Sequence, residues 1–299
     1  MSDSRGLREA GRGFVLITGA KLWFLLTATF TSLAFPRLFD NDVLYGQFRI
    51  VSGLLNVVTM VVITASVQAV SKLASEAGAD LRQVRRAALI GQLAFFGPVA
   101  LLFCGFSGVI AARVLNDPGI STPLLVSSLV VVAYMIYSVM IGLLNGTRNF
   151  GRQAGLDILF STMKTALMIA AVVATGSVVL SYGAFAATAW IVLLVALVLA
   201  GRVVAKAPGG AVQKGITARY FSYLLPLAAY ALVLNLLLQA DVIWLKAVVG
   251  RGSVAGTSAS VADHASLVAG IYGFAKNVAL LPYQAVISLT FIVFPLVST

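Results

Sequence analysis

The stretch "YGQFRIVSGLLNVVTMVVITASVQAVS", residues 45–71, indicates a helix that crosses a membrane. It is apolar apart from small hydroxyl and amide side chains and one cation, Arg49. Because an α-helix rises about 1.5 Å per residue, about 20 such residues cross a hydrocarbon core of ~30 Å. The stretch is therefore long enough to span the bilayer, with Arg49 inside it.

The rest of the chain continues this pattern. Of its 299 residues, 60% are hydrophobic and only 10% are charged. Such a composition has too few polar residues to cover a soluble protein. Apolar stretches of sufficient length predict eight spans, at residues 14–35, 45–70, 87–112, 123–144, 153–174, 178–199, 220–240 and 267–297.

Basic residues in the connections predict the orientation. Thirteen Lys and Arg residues lie on one side of the predicted spans, and four, Arg37, Arg113, Lys246 and Arg251, lie on the other. Short basic connections favour the cytoplasmic side, so the N-terminus is predicted to be cytoplasmic. Most of the basic residues behind the net charge of +11 lie in such connections, so nucleic acid is not predicted to be a partner.

A domain boundary is predicted after the sixth span. The segment "GRVVAKAPGGAVQKGITAR", residues 201–219, combines basic charge with Pro208, Gly209 and Gly210. We expect residues 1–205 to form an N-terminal six-helix lobe and residues 206–219 a cytoplasmic linker. Residues 220–299 would then be the first two helices of a second, incomplete lobe.

An internal repeat supports this division. Residues 45–71 align with residues 272–298, "YGFAKNVALLPYQAVISLTFIVFPLVS", with identities that include Tyr45/Tyr272 and Gly46/Gly273. The alignment places Arg49 on Lys276. The second and eighth spans are six crossings apart, so they have the same direction. The pattern predicts a parallel repeat with a central site between two halves.

Four cations, Lys21, Arg49, Lys164 and Lys276, lie inside predicted spans. A charge in the bilayer interior costs from ~2.5 to over 10 kcal/mol and normally faces a bundle interior or a cavity. Snorkelling to the interface is an alternative for Arg49, which lies near the end of its span. Polar side chains on the same or neighbouring helix faces are predicted to line the cavity together with these cations. The full predicted lining is Lys21, Arg49, Asn56, Asp157, Lys164, Asn235, Gln239, Lys276 and Asn277.

Asp157 and Lys164 lie on one helix, but seven residues separate them by about 10 Å along its axis. We therefore expect each to have a different partner.

The sequence has no pattern typical of an enzyme. It lacks a P-loop, and its only histidine, His264, lies in the Gly/Ser-rich segment 250–266 without a cluster of cysteines or carboxylates. We predict no catalytic residue, no metal site and no cofactor.

Three segments resemble a known family. "FPRLFDNDVLYGQFRIVSGLLNVV" (35–58), "IGLLNGTRNFGRQAGLDILFSTMKTAL" (141–167) and "LLQADVIWLKAVVG" (237–250) followed by "AGIYGFAKNVALLPYQAVISLTFIVFPLVS" (269–298) are similar to polysaccharide-biosynthesis flippases. These are the Wzx-like members of the MATE/MOP flippase superfamily.

The resemblance implies an all-α polytopic membrane protein with two six-helix lobes that alternate access to a cationic cavity. It implies flipping of a polyprenyl-pyrophosphate-linked oligosaccharide across the bacterial inner membrane, for O-antigen or other surface polysaccharide. Lys21, Arg49 and Lys276 match the family's cavity cations. The implied partners are this lipid-linked substrate, membrane lipids and other polysaccharide assembly proteins. Because a complete second lobe needs more helices, we expect the chain to be a fragment or a truncated product.

Other functions remain open at this point. A MATE-like exporter of organic cations, driven by Na⁺ or H⁺, would need a buried carboxylate in the first lobe, and Asp157 is the candidate. A membrane enzyme of polysaccharide assembly would be expected to have a large outer loop with clustered Arg or His. A non-transporting scaffold would leave the cations inside the spans unexplained.

Overall fold

Eight long helices account for the predicted spans. The computed structural model describes the backbone of residues 2–210, 213–251 and 258–297, and the side chains of residues 13, 15–210, 213–251, 261–280 and 282. The helices are α1 (Ser2–Leu38), α2 (Asp42–Ala74), α3 (Leu81–Gly105), α4 (Ser121–Gly146), α5 (Phe150–Thr175), α6 (Val178–Lys206), α7 (Ile216–Val249) and α8 (Ser258–Val297).

The predicted polytopic all-α architecture is confirmed. Helices α1 to α7 are each long and apolar enough to cross a membrane, and α8 covers the eighth predicted span. No strand occurs in the part of the chain that the structure describes. The prediction succeeds because length and apolar composition are properties of each segment alone.

Local capping residues set several helix ends. The side chain of Asn41 accepts a hydrogen bond from the Val43 amide at 2.8 Å, and Asp80 accepts one from the Arg82 amide at 2.9 Å. Such acceptors satisfy amide groups that have no partner within the first helical turn. Gly176, with a φ of 62°, ends α5, and Ser177 caps α6. The short turn predicted between the fifth and sixth spans is thus confirmed.

Three predicted boundaries were wrong. The third span was predicted as continuous to residue 112, but α3 ends at Gly105 and a short helical turn with a π-helical segment follows, Ile110–Val114. The seventh span was predicted to end at residue 240, whereas α7 continues to Val249. His264 was predicted in a loop but lies in α8.

Helix α2 is the central element of the packing. It packs against α4, α7 and α8, while α1 packs mainly on α5 and α4 packs on α6. Of the apolar 18-residue segment within each helix, 72% of the residues are buried in α4 and 11% in α1. Helices α7 and α8 therefore join the first six mainly through α2, and α1 lies at the periphery. We call the ends of the bundle inner, at the α2–α3 and α6–α7 connections, and outer, at the α1–α2 and α7–α8 connections.

Candidate functional site

A cavity of about 240 Å³ lies within the bundle. Helices α1, α2, α4, α5 and α6 form its wall, and Asn277 of α8 completes it. Much of the wall is aromatic: Phe24, Phe35, Tyr45, Phe48, Tyr134, Tyr182 and Phe185. The cations on the wall are Arg49 and Lys164, and no carboxylate is among the described residues that line it. The cavity is therefore cationic.

The ammonium group of Lys164 lies over two aromatic rings. Its Nζ lies 5.1 Å from the centroid of the Phe24 ring and 5.4 Å from that of Phe185. Both distances are within the range of a cation–π interaction. None of the ion pairs among the described side chains includes Lys164. Its ammonium group is thus partly stabilised and keeps its capacity to bind an anion.

Arg49 reaches from α2 to α8. Its Nη2 donates to Asn277 Oδ1 at 3.2 Å and to the Gly273 carbonyl at 3.4 Å. Gly273 makes room for the guanidinium, because a Cβ atom there would lie 2.8 Å from Arg49 Nε. That Nε is buried and has no hydrogen-bond partner among the described atoms. The snorkelling alternative for Arg49 is corrected: the side chain points into the bundle.

Lys21 does not line the cavity but pairs with Asp157. Its Nζ lies 3.0 Å from Asp157 Oδ2, and the two side chains are 53% and 14% exposed. The pair joins α1 to α5 at a level nearer the inner end. Asp157 and Lys164 thus have different partners, as expected from their separation along α5.

Lys276 also lies off the cavity wall. Its Nζ is 2.6 Å from Asp241 Oδ1 and contacts the Leu238 carbonyl. Tyr272 donates to the other carboxylate oxygen of Asp241 at 2.9 Å. The expectation that Lys21, Arg49 and Lys276 converge on one cavity is corrected. Lys21 and Lys276 instead form ion pairs with Asp157 and Asp241 on neighbouring helices.

The predicted amides divide in the same way. Asn56 and Asn277 line the cavity. Asn235 donates to the Ala231 carbonyl of its own helix at 2.8 Å. Gln239 lies at the contact of α7 with α2. A Cβ atom on Gly53 of α2 would lie 3.5 Å from its Oε1. Of the nine predicted residues, the structure places Arg49, Asn56, Lys164 and Asn277 on the cavity wall.

An ion-pair network at the outer end was not predicted. Lys246 Nζ lies 2.9 Å from Asp117 Oδ2, with the side chains 0% and 7% exposed. The same Nζ donates to Ser266 Oγ at 2.5 Å and to the Ala262 carbonyl at 2.8 Å. Lys246 was assigned to an outer connection; in fact it is buried in α7. The apolar residues from Val242 to Leu245 were the signal that the helix continues.

Comparison with known proteins supports the fold. No protein-family model and no curated protein matches the chain. Among solved structures, the eukaryotic MATE transporter AtDTX14 matches with a TM-score of 0.62 and 11% sequence identity, over 90% of this chain. The match covers 62% of the length of that transporter. The eight-helix arrangement of this chain is therefore that of a MATE-like fold.

Proposed function

We propose that the chain belongs to a membrane transporter that flips a polyprenyl-pyrophosphate-linked oligosaccharide across the bacterial inner membrane by alternating access. The observation that carries the proposal is the cationic cavity, with Arg49 and Lys164 on its wall and no carboxylate among its described lining residues. Hydrogen bonds from cations to phosphate are about twice as strong as neutral ones and gain further where the dielectric is low.

The size of the cavity limits what it binds. Its volume of about 240 Å³ is below the range of ~300 to 1,000 Å³ typical of sites for drug-sized ligands. It accommodates a pyrophosphate or a single sugar and not a whole oligosaccharide. The aromatic and hydroxyl side chains of the wall suit a sugar face and its hydroxyl groups. In this proposal the cavity binds the charged end of the substrate.

The test uses Lys164→Met and Arg49→Met in the full protein, reconstituted in liposomes with a fluorescent lipid-linked sugar. Losing one hydrogen bond to a charged group costs ~1.5 to 3 kcal/mol, so we expect flipping to fall about 10- to 100-fold. Lys206→Met is the control, because Lys206 is an exposed cation at the inner end of α6. Folded variants that flip at the wild-type rate would refute an anionic substrate in this cavity.

A MATE-like exporter of organic cations is the second candidate, favoured by the fold. Its coupling carboxylate would be Asp157, which in this structure is paired with Lys21. Asp157→Asn would then abolish Na⁺- or H⁺-driven export of a cationic dye, and Lys164→Met would spare it. The flippase proposal expects no dye export by the wild-type protein.

A further inference from the structure

A second depression lies on the bilayer-facing surface between α1 and α5. It has a volume of about 460 Å³, and its lining is almost wholly apolar. Leu26 and Phe30 contribute from α1, and Ala166 and Ile169 from α5. We call this depression the α1–α5 groove. Its residues are of the kind that hydrocarbon chains contact in a bilayer.

The groove and the cationic cavity share one wall. On α5, Lys164 and Met168 line the cavity, while the residues that follow them, Thr165 and Ile169, line the groove. On α1, Ala28 lines the cavity, and Thr27, which precedes it, lines the groove. A single layer of side chains therefore separates an anion-binding position from a surface that suits hydrocarbon.

Two polar contacts between described side chains cross this wall. Thr31 Oγ1 on the cavity side lies 3.3 Å from Thr165 Oγ1 on the groove side, and Trp23 donates to Thr162 Oγ1 at 2.9 Å. On α1, the small residues Ala28, Thr31 and Ser32 line the cavity between the larger Phe24 and Phe35. In the apolar 18-residue segment of α1, only 11% of the residues are buried. Parting α1 from α5 at this level therefore breaks these two contacts, whereas the Lys21–Asp157 ion pair lies nearer the inner end.

From this arrangement we propose that the α1–α5 groove binds the hydrocarbon tail of the amphiphile whose anionic head binds at Lys164. The layer containing Thr31 and Thr165 parts to admit the head from the bilayer. The inference rests on the proposed function. Its physical basis is that a charged head is not stable in hydrocarbon and a long tail is not stable in a polar cavity. An amphiphile needs both environments side by side, and α5 presents them at consecutive residues.

The first test separates head from tail with two probes, inorganic pyrophosphate and farnesyl diphosphate. Ala166→Trp in the full protein, in lipid nanodiscs, places an indole in the groove. Leu167→Trp is the matched control, because Leu167 is the next residue and is 38% exposed but does not line the groove. We expect Ala166→Trp to weaken binding of farnesyl diphosphate at least tenfold and to leave pyrophosphate binding unchanged. Lys164→Met should weaken both.

The outcomes distinguish the two proposals. If Lys164→Met alters neither probe, the cavity does not bind the anion and the proposed function is wrong. If Lys164→Met weakens both probes but Ala166→Trp spares farnesyl diphosphate, the proposed function stands and the tail site is wrong. An equal loss for both probes in Ala166→Trp would also overturn the tail site, because the effect would not depend on the tail.

The second test closes the wall reversibly. Thr31→Cys and Thr165→Cys are combined with Cys104→Ser, since Cys104 is the only native cysteine. Oxidation should slow entry of farnesyl diphosphate at least tenfold, and reduction should restore it in the same sample. Unchanged entry into the fully cross-linked protein would overturn the proposal that this wall opens.

Discussion

At the scale of single residues, the structure stabilises the cations inside the helices in three different ways. Lys21 and Lys276 pair with carboxylates, Arg49 donates to an amide and a carbonyl, and Lys164 lies over two aromatic rings. A neutralised ion pair has little attraction left for an anionic ligand. The partner of each cation, and not its depth in the membrane, therefore decides which of them keeps its charge available to an anion.

The buried pair of Lys246 and Asp117 should be important for stability. Lys246→Met leaves the Asp117 carboxylate buried without its cation, which typically costs about 3 to 5 kcal/mol. We expect a clear fall in the melting temperature of the purified protein. Adding Asp117→Asn, which removes the uncompensated charge, should recover part of the loss.

A partly exposed ion pair is the control for this experiment. Arg219 and Glu76 lie 2.7 Å apart with side chains 40% and 22% exposed. Because water already solvates such groups, Glu76→Gln should lower the melting temperature less than Lys246→Met. If the double variant melts below the Lys246→Met variant, the buried pair is not stabilised by charge compensation.

At the scale of elements, the contact between α2 and α8 depends on glycine. A Cβ on Gly46 would overlap the carbonyl group of Ser266, and a Cβ on Gly270 would lie 3.0 Å from the Gly46 Cα. Gly46 and Gly273 align in the predicted repeat, and both face the opposite helix. The absence of side chains lets the two backbones approach, a common solution where helices pack in a membrane.

Gly46→Ala should therefore separate α2 from α8. We expect a loss of about 1 to 3 kcal/mol from overpacking, measured as a lower melting temperature. Gly155→Ala on α5 is the matched control, since a Cβ there meets no atom within 4 Å. Its effect should be neutral or slightly stabilising, because alanine favours a helix by up to ~1 kcal/mol over glycine. Equal effects of the two changes would contradict the close contact.

At the scale of the whole molecule, α7 and the residues just before it are attached at both ends to the first six helices or to the connections between them. At the inner end, Arg219 pairs with Glu76, and the Gln83 side chain donates to the Gln213 carbonyl at 2.8 Å. At the outer end, Lys246 pairs with Asp117. The proposed alternating access requires one of these attachments to open, which makes both of them candidate coupling points between the two predicted lobes.

The predicted orientation can be tested by labelling intact cells. In a Cys104→Ser background, Asp42→Cys at the outer end should react with a membrane-impermeant thiol reagent added outside. Lys214→Cys at the inner end should react only after the cells are opened. Labelling of Lys214→Cys from outside would reverse the topology predicted from the basic residues.

The helices were predictable from sequence more reliably than the site. Seven of the predicted spans coincide with apolar helices because hydrophobic length is read segment by segment. Arg49 and Lys164 were identified as cations inside spans for the same reason. The sequence did not predict that Lys21 and Lys276 would form ion pairs while Arg49 and Lys164 line the cavity, because the carboxylates that pair with the two lysines are far away in the chain. Asp157 is 136 residues from Lys21, and Asp241 is 35 residues from Lys276.

The amino-acid sequence by itself determined that this chain crosses a membrane as a row of helices, because the cost of burying polar groups in hydrocarbon acts on each segment separately. It also determined that a few cations would need compensation there. Only the tertiary structure decided which cations are neutralised and which face a cavity, because an electrostatic partner is chosen by distance in space. For the same reason, the position of the α1–α5 groove beside Lys164 is a property of the folded bundle alone.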